Sequence, residues 1–511
     1  MLADASNSCC GETLQILRSA LPFSCAHVCM HLMQLTDLVV VGHVLGAEPL
    51  AVRACSGPAP LPTGTRAPTQ SLPAVLQAVC LVLFVVNQSL EPATYITSNA
   101  ITTLCGEAFF AKNYPQVASH MRGAVLFCVL LTLPIGGLLL GTPALLALLP
   151  VQTSVLGHAA EYSLAYALVV APALLLSVLL GFLRAQGQLR STAVVCFVVA
   201  LINAASAAFA VPLLGVRGSA LCTAAVRLVL LLLLAAVHRR LLAPAAGAAT
   251  DSASVCGSLT GLLRLYAASL LPATLRTGVA QLLTPLALVL GAGAVEAACV
   301  PLSVLLLTTG IQLSMGLQQA TLIQTARYLS RQRLSAARHA MRVAGWLLLA
   351  SSAAVGAACF LLRRRIGELF GGDARLVDVL AALSWYVAPT LLLRSASGLY
   401  GQFLALSGRG GRATLILFVV HGCLGLPAAY AWAALGRGTA IDATAGDAAA
   451  APVVALMQAH TAAWLLAASC FCLSYLCTSP NVWPAQPAAA APLSAPLLNK
   501  GNGRQDAQPA A

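Results

Sequence analysis

TAVVCFVVALINAASAAFAVPL occupies residues 192–213, and VRGSALCTAAVRLVLLLLLAAV follows at 216–237, after Leu214-Gly215. The first run has 22 residues and no charge; the second also has 22, with Arg217 and Arg227 as its only charges. As an α-helix, each run is about 33 Å long at about 1.5 Å per residue. That covers the roughly 30 Å of hydrocarbon in a bilayer. His238-Arg239-Arg240 close the second run with polar groups. The pair reads as a helical hairpin that crosses a membrane twice and turns at Gly215. Helix is required because hydrocarbon offers the backbone no hydrogen-bond partners.

The rest of the chain has the same character. Of 511 residues, 59% are hydrophobic and 8% charged, with mean hydropathy +0.87. Soluble domains carry about 25% charged residues, so soluble, disordered and secreted disulfide-rich classes are excluded. Outer-membrane barrels read as short alternating segments, unlike these long Leu/Ala/Val runs. The net charge of +13 does not indicate a nucleic-acid partner, since 26 Arg and 2 Lys are spread along the chain, mostly between apolar runs. The positive-inside rule accounts for them. The 17 cysteines show no CxxC and mostly lie in apolar runs, where Cys acts as a small hydrophobe. No cleavable signal peptide is evident.

Apolar stretches of spanning length lie near 16–45, 74–104, 121–149, 158–183, 192–213, 216–237, 259–291, 297–325, 343–362, 378–406, 413–435 and 451–476. Twelve spans put both termini on one side. If that side is cytosolic, its loops hold fifteen basic residues, Arg184 among them, against eight outside. The excess supports cytosolic termini. Arg227, Arg276 and Arg394 fall inside spans and must snorkel or face a polar interior. The second span is the least defined. VRACSGPAPLPTGTRAPTQSLPAVLQ precedes it, so 53–73 reads as a Pro-rich outer insertion and the helix is poorly defined before about Val85.

An internal repeat divides the chain. APALLLSVLLGFLRAQGQ begins at Ala171 and APTLLLRSASGLYGQFLALSGR at Ala388. Phe182 and Phe403 are 221 apart, as are Gly187 and Gly408, while Pro172 and Pro389 are 217 apart. SALPF at Pro22 echoes SLLPA at Pro272, and LTDLVVVG at 35–42 echoes LTPLALVLG at 283–291. Spans 1 and 4 thus match spans 7 and 10. The expected fold is all-α and polytopic, with twelve transmembrane helices in two six-helix lobes related as a parallel repeat. The lobes are expected at 1–242 and 259–477, with a linker at 243–258 and a disordered Pro/Ala-rich tail at 478–511. Such repeats are typical of secondary transporters, with substrate bound between the halves.

At this point the residues resemble the multidrug and toxic compound extrusion (MATE) family. TLCGEAFFAKNY at 103–114 is the most specific match, similar to the family signature at the cytosolic end of the second helix. The first span, FLRAQGQ at 182–188, LLGVRGSALCTAA at 213–225 and the stretch 315–342 also fit. The resemblance implies export of organic cations or drug-like xenobiotics in exchange for H⁺ or Na⁺, by a monomer in the plasma membrane or a vacuolar or other organelle membrane. No cofactor, metal or enzymatic activity is expected. Where eukaryotic members carry a Glu in helix seven, this chain has Ala280, then Gln281.

An ion-coupled exporter needs a carboxylate within the membrane, because burial favours its protonated form and the proton can be exchanged. Asp37 is the clearest mid-span carboxylate, with Met30, Met33 and Gln34 on the same helical face and His27 at its margin. The family resemblance adds Asn203 and Thr223 to Asp37 as coupling-ion residues. Met33, Gln34, Asp37, Tyr166 and Gln281 are expected along the substrate cavity, with Tyr162 in reach. Glu91 is ambiguous, and Glu107 is expected to fix a helix end. Glu296 is expected in a solvated outer loop, and His27 and His31 in helix packing. The alternatives are a lipid-linked oligosaccharide flippase of the same superfamily, using a cationic cavity, and a membrane-embedded enzyme or receptor. The absence of HExxH and of an acyltransferase motif disfavours the enzyme, and twelve spans do not fit a seven-helix receptor.

Overall fold

The computed structural model describes residues 9–46, 72–247, 251–330, 333–370, 373–406, 409–439 and 445–476. Twelve helices in it are long and apolar enough to cross a membrane. They are α1 (Cys9–Gly46), α2 (Leu72–Phe110), α3 (Tyr114–Leu140), α4 (Thr153–Ala185), α5 (Leu189–Leu214) and α6 (Val216–Val237). The second half repeats the set as α7 (Ser252–Val289), α8 (Ala294–Ser330), α9 (Leu334–Leu361), α10 (Ala374–Leu406), α11 (Gly410–Leu435) and α12 (Ala445–Leu476). No strand occurs among the described residues.

Local chemistry sets the turns. Gly187, Gly215 and Gly291 have positive φ and reverse the chain between α4 and α5, α5 and α6, and α7 and α8. Other residues enter that region at a steric cost. The Asn113 side chain accepts the Gln116 N–H at 3.2 Å, and Pro115 opens the next turn, so KNYP starts α3 as a capped helix.

The lobes meet in a way that follows the repeat. α1 packs on α8, and α2 packs on α7. Exchanging the halves turns one contact into the other. Ser24 Oγ donates to Leu313 O at 2.8 Å in the first, and Gln88 Nε2 donates to Gly278 O at 2.7 Å in the second. Toward the end where α2 begins, one apolar cluster crosses both lobes, joining Leu38 and Val41 to Val75–Val86, Ala298–Leu305 and Leu376–Leu383. Leu133, Phe209, Leu213 and Trp346 are exposed, as lipid-facing side chains should be.

Several expectations are corrected. α2 is continuous from Leu72, not indistinct before Val85, because residues 74–86 fill the space between the lobes. Residues 53–71 lie outside the described residues, as do Cys477 and the tail 478–511. The linker is largely helical: Arg239–Gly247 is a short helix, and α7 begins at Ser252, with residues 248–250 outside the description. That early start is held by Ser258, whose Oγ lies 3.1 Å from Ser119 Oγ on α3. Glu296 is 1% exposed, because Arg375 Nε donates to its Oε1 at 2.7 Å. The side chains of Glu107 and Arg276 lie outside those described.

Candidate functional site

Asp37 sits about three-quarters of the way along α1 and is 1% exposed. Thr223 Oγ1, from α6, donates to its Oδ2 at 2.5 Å. Asn203 Nδ2, from α5, lies 3.5 Å from its Oδ1 and 3.4 Å from Met33 O. Three residues far apart in the chain therefore converge in one lobe. Ser219 and Arg227 lie one turn to either side of Thr223 on the same face of α6. Both are buried, and Arg227 is within electrostatic reach of Asp37. Tyr162 and Tyr166, a turn apart on α4, complete the enclosure with ring centroids 5.5 Å apart.

This cluster can hold one proton or one small cation. A buried carboxylate, a hydroxyl, the Met33 carbonyl and Asn203 Oδ1 form an all-oxygen set suited to a hard ion. Asn203 Oδ1 is buried without a hydrogen-bond partner. Among the described residues, no His/Cys/Asp/Glu group is arranged to hold a metal.

A separate cavity of about 190 Å³ lies between the lobes. It is walled by the middle of α1, α2, α6 and α7 and by the halves of α4, α8, α10, α11 and α12 nearer the chain termini. Of the expected lining, Gln281 is present. Met33, Gln34, Asp37 and Tyr166 do not line it: they are buried inside the first lobe, because that face of α1 is turned onto α5 and α6. The α1 face on the cavity is His27, Met30 and His31.

The cavity gathers residues that the sequence assigned elsewhere. His31 Nε2 is 3.7 Å from Glu91 Oε1, which resolves Glu91 as a wall residue. His27 Nε2 is 3.3 Å from Arg184 Nη2, so both histidines face the cavity instead of simple helix packing. Arg184, counted with the cytosolic loops, belongs to the wall because α4 runs to Ala185. The signal was FLRAQGQ itself, where Arg184 precedes the turn by one residue. Arg227 and Arg394 also line the cavity, each 6% exposed, so these intramembrane arginines face a polar interior and do not snorkel. The Arg394 guanidinium lies 5.6 Å from the Trp464 ring centroid.

A fold of two repeated six-helix lobes, with an intramembrane carboxylate cluster and a cavity between the lobes, defines a membrane transporter. The MatE family model matches residues 78–209 and 279–431, more than half of the chain. The chain belongs to the MatE family and is a multi-pass membrane transporter. Its fold is that of the crystal structure of the eukaryotic MATE transporter AtDTX14, at 18% identity and TM-score 0.74 over 93% of this chain and 98% of that one. The inward-facing conformation of a multidrug resistance MATE family transporter of the MOP superfamily is 17% identical, with TM-score 0.64 over 88% and 95%. A MOP superfamily transporter from Pyrococcus furiosus Vc1 (DSM3638) is 16% identical, with TM-score 0.61 over 90% and 96%. No curated protein sequence matches the chain.

Proposed function

We propose that the protein is a secondary active antiporter that exports drug-like organic molecules in exchange for H⁺ or Na⁺, with Asp37, Asn203 and Thr223 as the coupling-ion site. The observation that carries this reading is the convergence of Thr223 and Asn203 on a carboxylate that is 1% exposed. A buried charge must have a reason, and reversible occupation by an ion supplies one. The chain works as a monomer in the plasma membrane or an organelle membrane, with cytosolic termini and the joint between lobes after residue 242. The cavity then opens toward the cytosol, while the apolar cluster around Val75–Val86 closes the outer side.

The family resemblance implies organic cations as cargo. Among the described residues of the cavity wall, three arginines stand against one carboxylate, which does not favour that sign. The same arginines favour the flippase reading, which needs a cationic cavity, but the MatE match in both halves supports the antiporter.

The test is flux of labelled organic probes through purified protein in proteoliposomes under imposed pH or Na⁺ gradients. Asp37→Asn keeps the shape and removes the charge. It should reach the membrane in a monodisperse form and lose gradient-driven flux. Flux at the unmodified rate, with unchanged ion dependence, would place coupling elsewhere.

A further inference from the structure

We propose that the central cavity takes small organic anions, with carboxylate or phosphate groups held by Arg227 from the first lobe and Arg394 from the second. The inference rests on the transporter reading above and names the class of its cargo.

Two guanidinium groups, each 6% exposed, sit within helices that cross the bilayer. Such charges are expensive there and face a pathway when they occur. Both line the cavity, and Arg184 joins them at the end nearer the termini. Among the described wall residues, Glu91 is the only carboxylate. With the histidines neutral, three positive charges against one negative leave the wall at +2. Asp37 stands behind the wall within reach of Arg227, and counting it as ionised still leaves +1. Among the described residues the three guanidiniums thus outnumber the two carboxylates.

The surroundings fit recognition. Arg394 lies over Trp464, whose Nε1 donates to His460 Nε2 at 3.2 Å, so the aromatic plane beneath the guanidinium is braced. Arg227 carries an Nε with no hydrogen-bond partner. Guanidinium groups present planar forks that match carboxylate and phosphate oxygens, which a point charge does not. Gln281, Gln312 and Gln318 add amide donors from the second lobe. Because the two arginines come from different lobes, an anion between them bridges the two bodies that must move in transport. A cationic solute would enter against the net charge of the described wall and find Glu91 already 3.7 Å from His31.

The test uses the full-length protein in proteoliposomes with four labelled probes: malate, glucose 6-phosphate, tetraethylammonium and ethidium. Expected is saturable uptake of malate or glucose 6-phosphate, competed by the other in proportion to its own affinity. Comparing the two separates carboxylate from phosphate preference. Arg394→Gln and Arg227→Gln should each weaken the anion by about 10- to 100-fold, the worth of a lost charged hydrogen bond. Arg394→Lys, which keeps the charge but loses the fork, should fall between. Monodispersity on size exclusion separates lost binding from lost folding. Transport of tetraethylammonium or ethidium with both anions inert would overturn the proposal while leaving the antiporter reading intact. Movement of none of the four probes under any gradient would overturn both.

Discussion

Gly42 offers a direct way to bias the conformational cycle. It lies near the end of α1, where the first lobe touches Phe370, the residue that caps the short helix Arg363–Leu369 after α9 in the second. A Cβ built on Gly42 would stand 2.9 Å from the Phe370 carbonyl carbon and closer still to its oxygen. Ordinary contact begins near 3.4 Å, so backbone must yield by at least 0.5 Å, and Phe370 is buried. Overpacking of this kind costs about 1–3 kcal/mol. The cost arises only while the outer ends of the lobes are together. The helix-propensity gain of Gly→Ala, about 1 kcal/mol, is present in both conformations and cancels. Gly42→Ala should therefore shift the equilibrium toward the outward-open form by about 5- to 150-fold. Spin labels at Leu148 and Arg364, introduced as non-natural amino acids, report the outer separation by pulsed electron resonance. The longer distance should gain population, and turnover should fall as re-closure becomes limiting. Gly136→Ala, with no atom within 4 Å of the added methyl, is the control. Unchanged distances and unchanged turnover in Gly42→Ala would refute the view that this contact closes the outer side.

Thr223→Val keeps the side-chain shape and removes the hydroxyl that donates to Asp37. A hydrogen bond to a charged group is worth about 1.5–3 kcal/mol. The ion concentration that half-saturates flux should change by about tenfold or more. Arg375→Ala leaves Glu296 buried without its partner. Arg375 itself is half exposed and screened, so the loss should be about 1–3 kcal/mol. It should be visible as a lower melting temperature in detergent, with Glu296→Gln in the same background restoring part of it.

Much of the architecture was legible as sequence. Twelve apolar runs of spanning length became twelve helices because a backbone in hydrocarbon must satisfy its own polar groups. Gly187, Gly215 and Gly291 marked turns because their backbone conformations suit glycine. The spacing of Pro172 and Pro389 announced two lobes. Asp37 stood out because charge within a span is rare. Asn203 and Thr223 came from family resemblance, and the fold brings both to Asp37.

Tertiary structure decided which way the faces turn. α1 lies between its own lobe and α8, so apolar or polar character cannot rank one face over another. Met33, Gln34 and Asp37 turn into the first lobe, and His27, Met30 and His31 turn to the cavity. Arg184 reads as a loop residue until α4 is seen to carry it into the wall. Glu296 reads as solvated until Arg375, 79 residues later, closes over it. In each case the deciding partner is distant in the chain. The side chain's environment is set by helices packing across the bundle, and a charge or amide has the same local sequence signature whether it meets water, lipid or a partner.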